Sequence, residues 1–369
     1  MMRKLFFVCF VLASTAVFAI PKLVYNGDTL EWNYSWQKKQ CGTLDINANI
    51  IEVSGIACSR VTPGYIWMQS DETDEDTNPF IIATDEKGAE RACKVKFNKI
   101  YRWDWEDMSG GVYDGKNYLF FGAFGDNDET DGEYSIIYFE EPTIDPINQP
   151  EVTVTAHRIK YQYPGGLKHN AEALMYDNVE QMIYVITKVY YNVCQVFKIP
   201  FRLDYGDVEQ TLEYVCDLGV KSDLGAGTNP YKGFHLVTAA DISPDGKYIL
   251  IKNHNNIVSS YCWVLYWVRQ EGESVADAVQ RQPQPIKAYN TTEWQGEAIC
   301  WLDDDTFYTT SDSDDGNPPI FKFTRKWGEG IENTQTELED GERTKVMIGN
   351  TLYIRTQAGL YTMDGRLAK

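Results

Sequence analysis

The chain has 369 residues, enough for one large domain, and 43% of them are hydrophobic, enough to fill a core. Its formal net charge of −20 argues against nucleic acid or an anionic membrane as a partner, because both repel an acidic protein. Aromatic residues make up 14% of the chain, including 24 Tyr and 10 Trp, and they favour strands over helices. We therefore expect an all-β protein.

The first residues have the pattern of a secretory signal peptide. Arg3 and Lys4 provide positive charge, Leu5–Phe18 is apolar, and small residues lead to a cleavage site after Ala19. The apolar stretch is short for a membrane span, and no later segment of the sequence predicts a transmembrane helix. We expect residues 1–19 to be removed and the protein to be secreted or displayed on the cell surface by way of the periplasm.

Five segments of the chain repeat one plan of three short strands. They begin about 50–70 residues apart, at Ser54, Asp104, Asn170, Val237 and Gly296. A fourth strand is predicted after four of them, around Lys94–Phe97, Val152–Lys160, Leu212–Leu218 and Pro285–Tyr289. This spacing is typical of the four-stranded blades of a β-propeller.

The fifth segment has no fourth strand of its own. Leu30–Ser35, near the N-terminus, would supply that strand and close the ring, which would remove exposed sheet edges. We predict a propeller of five blades over residues 20–327, or six blades if the N-terminal region contributes more than one strand.

The innermost strand of each propeller blade borders a central channel, and acidic residues lie on or beside this strand in four of the five repeats. They are Glu106, Asp107, Glu172, Asp241 and Glu297. A second polar set ends the next strand of each repeat: Asp71, Asp126, Lys188, Lys252 and Asp312. Carboxylates that share a confined space need protons, a cation or basic groups to balance their charge.

Oxygen-rich surroundings suit Ca²⁺ or Mg²⁺, so one prediction is a cation, Ca²⁺ by preference, held by some of the acidic residues. These candidate ligands are Glu106, Asp107, Glu172, Asp241 and Glu297. The metal would activate water, with Glu172 or Glu297 as a base and with Lys188 and Lys252 anchoring a small anionic or glycan-like substrate. The alternative is a water-filled channel balanced by structural ion pairs.

Two histidines and two cysteines deserve a test. His169 and His254 lie beside the polar sets, and each would be an acid, base or ligand at the channel mouth, unless it is an ordinary strand or loop histidine. Cys194 and Cys216 lie on predicted neighbouring strands, so they are the first pair to test for a disulfide in an exported protein.

The order of these motifs resembles a bacterial family of uncharacterised secreted propellers, related to the phytase-like and esterase-like propeller groups. Its most specific pieces are DWED (Asp104–Asp107), GDN (Gly125–Asn127) and GEAI (Gly296–Ile299). The resemblance implies acidic residues on the axis that hold calcium, and it implies hydrolase activity only faintly. The chain departs from the family in the residue before GDN and in the acidic insertion Glu72–Asn78.

The C-terminus carries a second resemblance. Residues 328–344 form a polar predicted linker, and residues 345–369, which end in MDGR, resemble the small C-terminal sorting domains recognised by type IX secretion. The alternative is a small β-hairpin that packs on the propeller.

Three functions remain open from the sequence. The first is a secreted, metal-dependent hydrolase of phosphoesters, esters or lactones, and the second is a non-catalytic propeller that binds a ligand or protein around a structural ion. The third is a gluconolactonase-type enzyme, for which Asn127, Asn170 and Asn253 would be further ligands. The sequence does not decide whether the chain is an enzyme, and we expect a monomer.

Overall fold

The computed structural model is a five-bladed β-propeller, which confirms the predicted fold. It describes residues 22–45, 52–71, 80–98, 104–189, 193–223, 236–254, 261–288, 293–312, 316–326, 344–348, 351–356 and 359–362. Among these residues the one α-helix is short, Val275–Val279. No helix in this part of the chain is long and apolar enough to cross a membrane.

Blades 1 and 2 are four-stranded antiparallel sheets, each extended by one parallel strand. Blade 1 runs outward from the axis through Val53–Cys58, Tyr65–Ser70, Phe80–Asp85 and Arg91–Phe97, with Glu151–Val154 added. Blade 2 runs through Trp105–Tyr113, Lys116–Ala123, Tyr134–Glu140 and His157–Gln162, with Gln210–Thr211 added. The single strand predicted over Val152–Lys160 is wrong, because the chain leaves blade 1 after Val154 and enters blade 2 at His157.

The other three blades have four strands each. Blade 3 contains Ala171–Asp177, Met182–Thr187, Cys194–Pro200 and Glu213–Leu218. Blade 4 contains Leu236–Ile242, Tyr248–His254, Cys262–Val268 and Gln284–Lys287. Blade 5 contains Ala298–Asp303, Thr306–Thr310, Pro319–Arg325 and the N-terminal strand Trp36–Thr43.

The N-terminal strand closes the ring, as predicted, but it is Trp36–Thr43 and not Leu30–Ser35. The Trp36 ring packs edge-on against Phe307 of blade 5 at 5.0 Å between centroids, and so fixes the strand there. The earlier residues run beside blade 4 instead, where the backbone amide of Asn33 donates to the carbonyl of Pro285 at 2.7 Å.

The hydrophobic core is divided among the interfaces between neighbouring blades. Five clusters of buried side chains each join two adjacent blades, and the one between blades 4 and 5 contains Trp36, Trp301 and Phe307. Successive side chains of a strand point to opposite faces of its blade, and each face is covered by a neighbouring blade, so the apolar side chains are buried between blades. The strands therefore contain long runs of apolar residues, and polar side chains at the axis are exceptions.

Two small sheets lie outside the blades. One joins Lys22–Tyr25, Asp28–Thr29 and Val220–Asp223, and the other joins Thr344–Ile348, Thr351–Thr356 and Gly359–Thr362. The predicted signal peptide, residues 1–19, lies outside the described residues, as does most of the predicted linker, residues 328–344. The sorting-domain assignment of residues 345–369 stays a prediction.

Candidate functional site: the acidic mouth of the channel

Four of the five inner strands carry a β-bulge near their beginning. In each, one residue of the inner strand has no partner in the register: Ser54, Asp107, Glu172 and Thr238. A bulge turns its extra side chain away from the regular pleat. These bulges lie where the inner strands begin, and we call this end of the channel the channel mouth.

Asp107 joins three blades at the axis. One carboxylate oxygen accepts from the backbone amides of Leu174 and Ala240 at 2.9 and 2.8 Å, and the other accepts from the amide of Met108 at 2.8 Å. Burial raises the pKa of Asp107 well above its usual range, and these amide donors lower it. Its predicted role as a metal ligand stays a prediction, but both oxygens already have protein partners.

Asp241 makes a similar connection from blade 4. Its oxygens accept from the Ser109 hydroxyl at 3.0 Å and from the Trp301 backbone amide at 2.8 Å, which lie in blades 2 and 5. Burial raises the pKa of Asp241 to about 6, against the lowering effect of the Trp301 amide and the Arg60 charge. The contacts of Asp241, like those of Asp107, connect blades across the axis.

Lys188 and Glu172 form a buried ion pair at the channel mouth. The ammonium nitrogen lies 2.5 Å from Oε2 of Glu172, and the two side chains are 11% and 5% exposed. The other oxygen of Glu172 accepts from the Asn170 amide at 3.2 Å. Burial lowers the pKa of Lys188, but the carboxylates of Glu172, Glu297 and Glu106 outweigh it and raise that pKa. Lys188 is therefore charged at neutral pH.

Glu106 and Glu297 face the same lysine. Glu106 accepts from the Ser54 hydroxyl at 2.7 Å, and burial together with the nearby Glu172 raises its pKa well above the usual range. Burial also raises the pKa of Glu297, to about 7, although Lys188 lowers it. Among the described residues, Oε2 of Glu297 is buried and has no hydrogen-bond partner.

The remaining members of the second polar set are divided between the mouth and the scaffold. Asp71 and Asp312 both raise the pKa of carboxyl groups at the mouth, Asp71 that of Glu106 and Asp312 that of Glu297. Asp126 instead accepts from the Tyr134 hydroxyl at 2.7 Å and from backbone amides of its own loop, so it stabilises that loop.

Lys252 is fully buried, and its contacts are with the protein. Its ammonium group lies 2.6 Å from Glu293 and donates to the Thr310 carbonyl at 2.9 Å, while Glu293 also binds Lys38 at 2.6 Å. Glu293 was missed by the sequence analysis because it precedes the fifth repeat and belongs to no recurring motif. Gly296 packs closely beside this group, since a Cβ atom there would lie 2.6 Å from Cε of Lys252 and would force a side chain to shift.

Burial determines the protonation of both candidate histidines. His254 is buried and neither ring nitrogen has a hydrogen-bond partner among the described residues, and burial and the charge of Lys188 lower its pKa well below the usual range. His169 packs edge-on against Tyr163 at 4.7 Å between ring centroids. Both rings are therefore neutral at neutral pH, because burial also lowers the pKa of His169.

The asparagines proposed as further ligands lie in two places. The Asn170 amide donates to Asn127 at 3.1 Å, so these two residues stand next to Glu172, whereas Asn253 donates to the carbonyl of Ile251. In the part of the chain that the structure describes, no group of three or more His, Cys, Asp or Glu residues is arranged to hold a metal ion. Binding of Ca²⁺ or Mg²⁺ by these side chains stays a prediction.

No protein-family model matches the chain, and no curated protein matches it. Its fold is similar to that of the PQQ-bound aldose sugar dehydrogenase of Streptomyces coelicolor, at 9% identity and a TM-score of 0.40 over 80% of this chain and 99% of that one. It is also similar to a GH43_1 enzyme of Xanthomonas citri, at 11% identity and a TM-score of 0.43 over 74% of this chain and 87% of that one. A gluconolactonase of Xanthomonas campestris is similar at 10% identity and a TM-score of 0.40, over 83% of this chain and 95% of that one. Likeness at this level carries no argument about activity.

Proposed function

We propose that the channel mouth is the active site of a hydrolase that cleaves an uncharged ester or lactone by general acid–base catalysis. The observation that carries the proposal is the pairing of two oppositely charged groups. Glu297 has a pKa of about 7 and an oxygen without a hydrogen-bond partner among the described residues, and it faces a lysine that its neighbours keep charged. A catalytic base is most effective when its pKa lies near the working pH.

The proposed reaction needs only these side chains and water. The Glu297 carboxylate removes a proton from a water molecule, which attacks the carbonyl carbon of the substrate. Lys188 has three N–H donors, of which one binds Glu172, and another stabilises the negative charge that develops on the carbonyl oxygen. The C–O bond to the leaving group then breaks, and Glu297 returns the proton to the leaving alkoxide. The products are a carboxylic acid and an alcohol, or one hydroxy acid from a lactone.

Glu172 and Lys252 have supporting roles in this proposal. Glu172 holds the ammonium group of Lys188 in place and keeps it charged. Lys252 does not touch the substrate, because its ammonium group binds Glu293 and the carbonyl of Thr310, but its charge lowers the pKa of Glu297. Of the four predicted catalytic residues, Glu297 and Lys188 would thus act on the substrate, and Glu172 and Lys252 would hold or tune them.

The charge of the mouth favours an uncharged substrate over a phosphoester. Glu106, Glu172 and Glu297 all act on the charge of Lys188, so a phosphate dianion would meet a surplus of acidic groups. A phosphoester substrate would require the predicted divalent cation as a bridge. Activity that disappears on chelation and returns with Ca²⁺ or Mg²⁺ would therefore support the metal-dependent alternative.

The test is an assay of the full chain on a panel of aryl esters, lactones and phosphoesters, with and without a chelator. We expect turnover of an ester or lactone that survives chelation and falls about 100-fold in Glu297→Gln. Glu140→Gln, an exposed carboxylate of blade 2, is the matched control and should retain activity. Full activity in Glu297→Gln would refute the assignment. If no substrate of the panel is turned over, the result would favour the non-catalytic binding propeller.

We also propose export as the setting of this activity, on the basis of residues 1–19 and 345–369. Expression in a bacterium that has a type IX system, with and without residues 345–369, tests the sorting segment. The intact protein should reach the cell surface or the medium, and the truncated protein should stay in the periplasm. Equal distribution of both forms would favour a packed hairpin.

A further inference from the structure

Two cysteines from different blades meet in the interface that completes the ring. Cys58 ends the inner strand of blade 1, and Cys300 lies in the inner strand of blade 5. Their Sγ atoms are 3.4 Å apart, and the side chains belong to one buried cluster, although the residues are 242 positions apart in the sequence. An approach of about 1.4 Å would bring the sulfur atoms to the bonding distance of a disulfide, about 2.05 Å.

The pair named by the sequence analysis lacks this arrangement. Cys194 lies opposite Leu218 and Cys216 lies opposite Val196, so the two cysteines are diagonal neighbours on adjacent strands. Diagonal positions in a sheet are about 7–8 Å apart, which is beyond the reach of a disulfide. Cys58 and Cys300 are free cysteines in contact with each other.

We propose that Cys58 and Cys300 are a disulfide-forming site that links blade 1 to blade 5. The oxidant is a second disulfide, such as oxidised glutathione. The thiolate of Cys58, the more exposed of the two, attacks one sulfur of the oxidant, forms a mixed disulfide with that glutathione and releases the other glutathione as a thiol. The thiolate of Cys300 then attacks Cys58 and releases the second thiol. Two cysteine thiols and one glutathione disulfide become one protein disulfide and two glutathione thiols.

The position of the link gives it a structural consequence. Blade 5 combines the strand Trp36–Thr43 with three strands from the other end of the propeller, so hydrogen bonds and side-chain packing close the ring. A bond between Cys58 and Cys300 adds a covalent connection across the neighbouring interface and encloses most of the propeller in one loop. Cross-links that close long loops restrict the unfolded chain strongly. The oxidised protein is therefore more resistant to opening between its first and last blades.

The test starts from the full chain purified under reducing conditions and incubated with a mixture of reduced and oxidised glutathione. Non-reducing peptide mapping should recover a cross-linked peptide that contains Cys58 and Cys300. Oxidation should also raise Tm by about 5 °C. This Tm shift should disappear in Cys58→Ser and persist in Cys93→Ser, the matched variant of another buried cysteine in blade 1.

The peptide map decides the outcome even if a cysteine variant does not fold, because it uses the unmodified chain. Cys58 and Cys300 that both remain alkylatable after oxidation would overturn the proposal. A cross-link between Cys194 and Cys216 in their place would overturn it equally. A Tm shift that persists in Cys58→Ser would show that the stabilisation comes from elsewhere.

Discussion

The ammonium nitrogen of Lys188 lies 2.5 Å from a carboxylate oxygen of Glu172, and Glu297 and Glu106 act on the same charge. One lysine thus balances carboxylates from three blades. Removal of one member of a buried ion pair leaves the other charges without compensation.

Replacement of Lys188 by Met should therefore destabilise the protein and abolish activity. We expect a loss of about 3–5 kcal/mol at neutral pH, as for other buried pairs that lose one partner. The loss should shrink in acid, where the carboxyl groups are protonated. Urea unfolding at two pH values measures this effect. Lys188→Arg keeps the charge and should be much less destabilised, and equal losses in both variants would contradict the electrostatic explanation.

Glu106→Gln should stabilise the protein above neutral pH. Burial first, and the neighbouring Glu172 next, raise the pKa of Glu106 well above its ordinary value of 4.5. The folded protein therefore binds this proton more tightly than the unfolded chain does. The corresponding stability is fully present below about pH 4.5 and is lost as the pH rises toward the folded-state pKa.

Glutamine has no proton to lose, so at about pH 8 the variant should melt several degrees higher than the parent protein. At about pH 4 the two proteins should have the same Tm. A series of Tm measurements across this range tests it. Two melting curves that keep the same separation at every pH would show that Glu106 does not titrate in this way.

Asp107→Asn should loosen the centre of the ring. One oxygen of Asp107 accepts from the amides of Leu174 and Ala240, and an amide nitrogen in that position would face two donors. We expect a loss of about 2–4 kcal/mol from these unsatisfied groups. Hydrogen exchange at both amides should also increase. Asp204→Asn, on the surface, is the control, and equal stability of the two variants would contradict the role of Asp107 as a link between blades.

The repeat in the sequence predicted five blades, with six left open, because every blade uses the same order of apolar strands and turns. It also placed Glu106, Glu172 and Glu297 together, since the inner strands converge on the axis. It did not separate Glu106 from Asp107, which is the bulge residue of its strand: the Asp107 carboxylate accepts from backbone amides of blades 3 and 4, whereas Glu106 acts on Lys188.

Contacts between distant segments could not be predicted in the same way. Glu293 binds Lys252 and Lys38, which come from two different blades, and no motif links these three positions in the sequence. The proximity of Cys58 and Cys300 depends on ring closure, which brings the first and last blades together. Such pairs are set by the geometry of the closed ring and not by local pattern.

Glu293→Gln should be among the most damaging single changes. The carboxylate is fully buried between two lysines, at 2.6 Å from each, and although burial raises the pKa of Glu293, the two lysines lower it. Loss of the negative charge leaves Lys252 and Lys38 to repel each other, at a cost of about 3–5 kcal/mol. Unfolding by urea measures the effect. Glu140→Gln, which breaks an exposed pair with Lys116, should leave stability unchanged.

The pH dependence of hydrolysis should follow the ionisation of Glu297. The base acts only when it is deprotonated, and its pKa is about 7, so kcat/KM should rise tenfold per pH unit below neutrality and level off near pH 8. Lys188 remains charged throughout this range because its pKa is raised by the surrounding carboxylates, and so it adds no second step. The rate of Glu297→Gln should be low and independent of pH. A parent profile that falls as the pH rises through 7 would require a protonated acid in place of the base, and would assign Glu297 the opposite role.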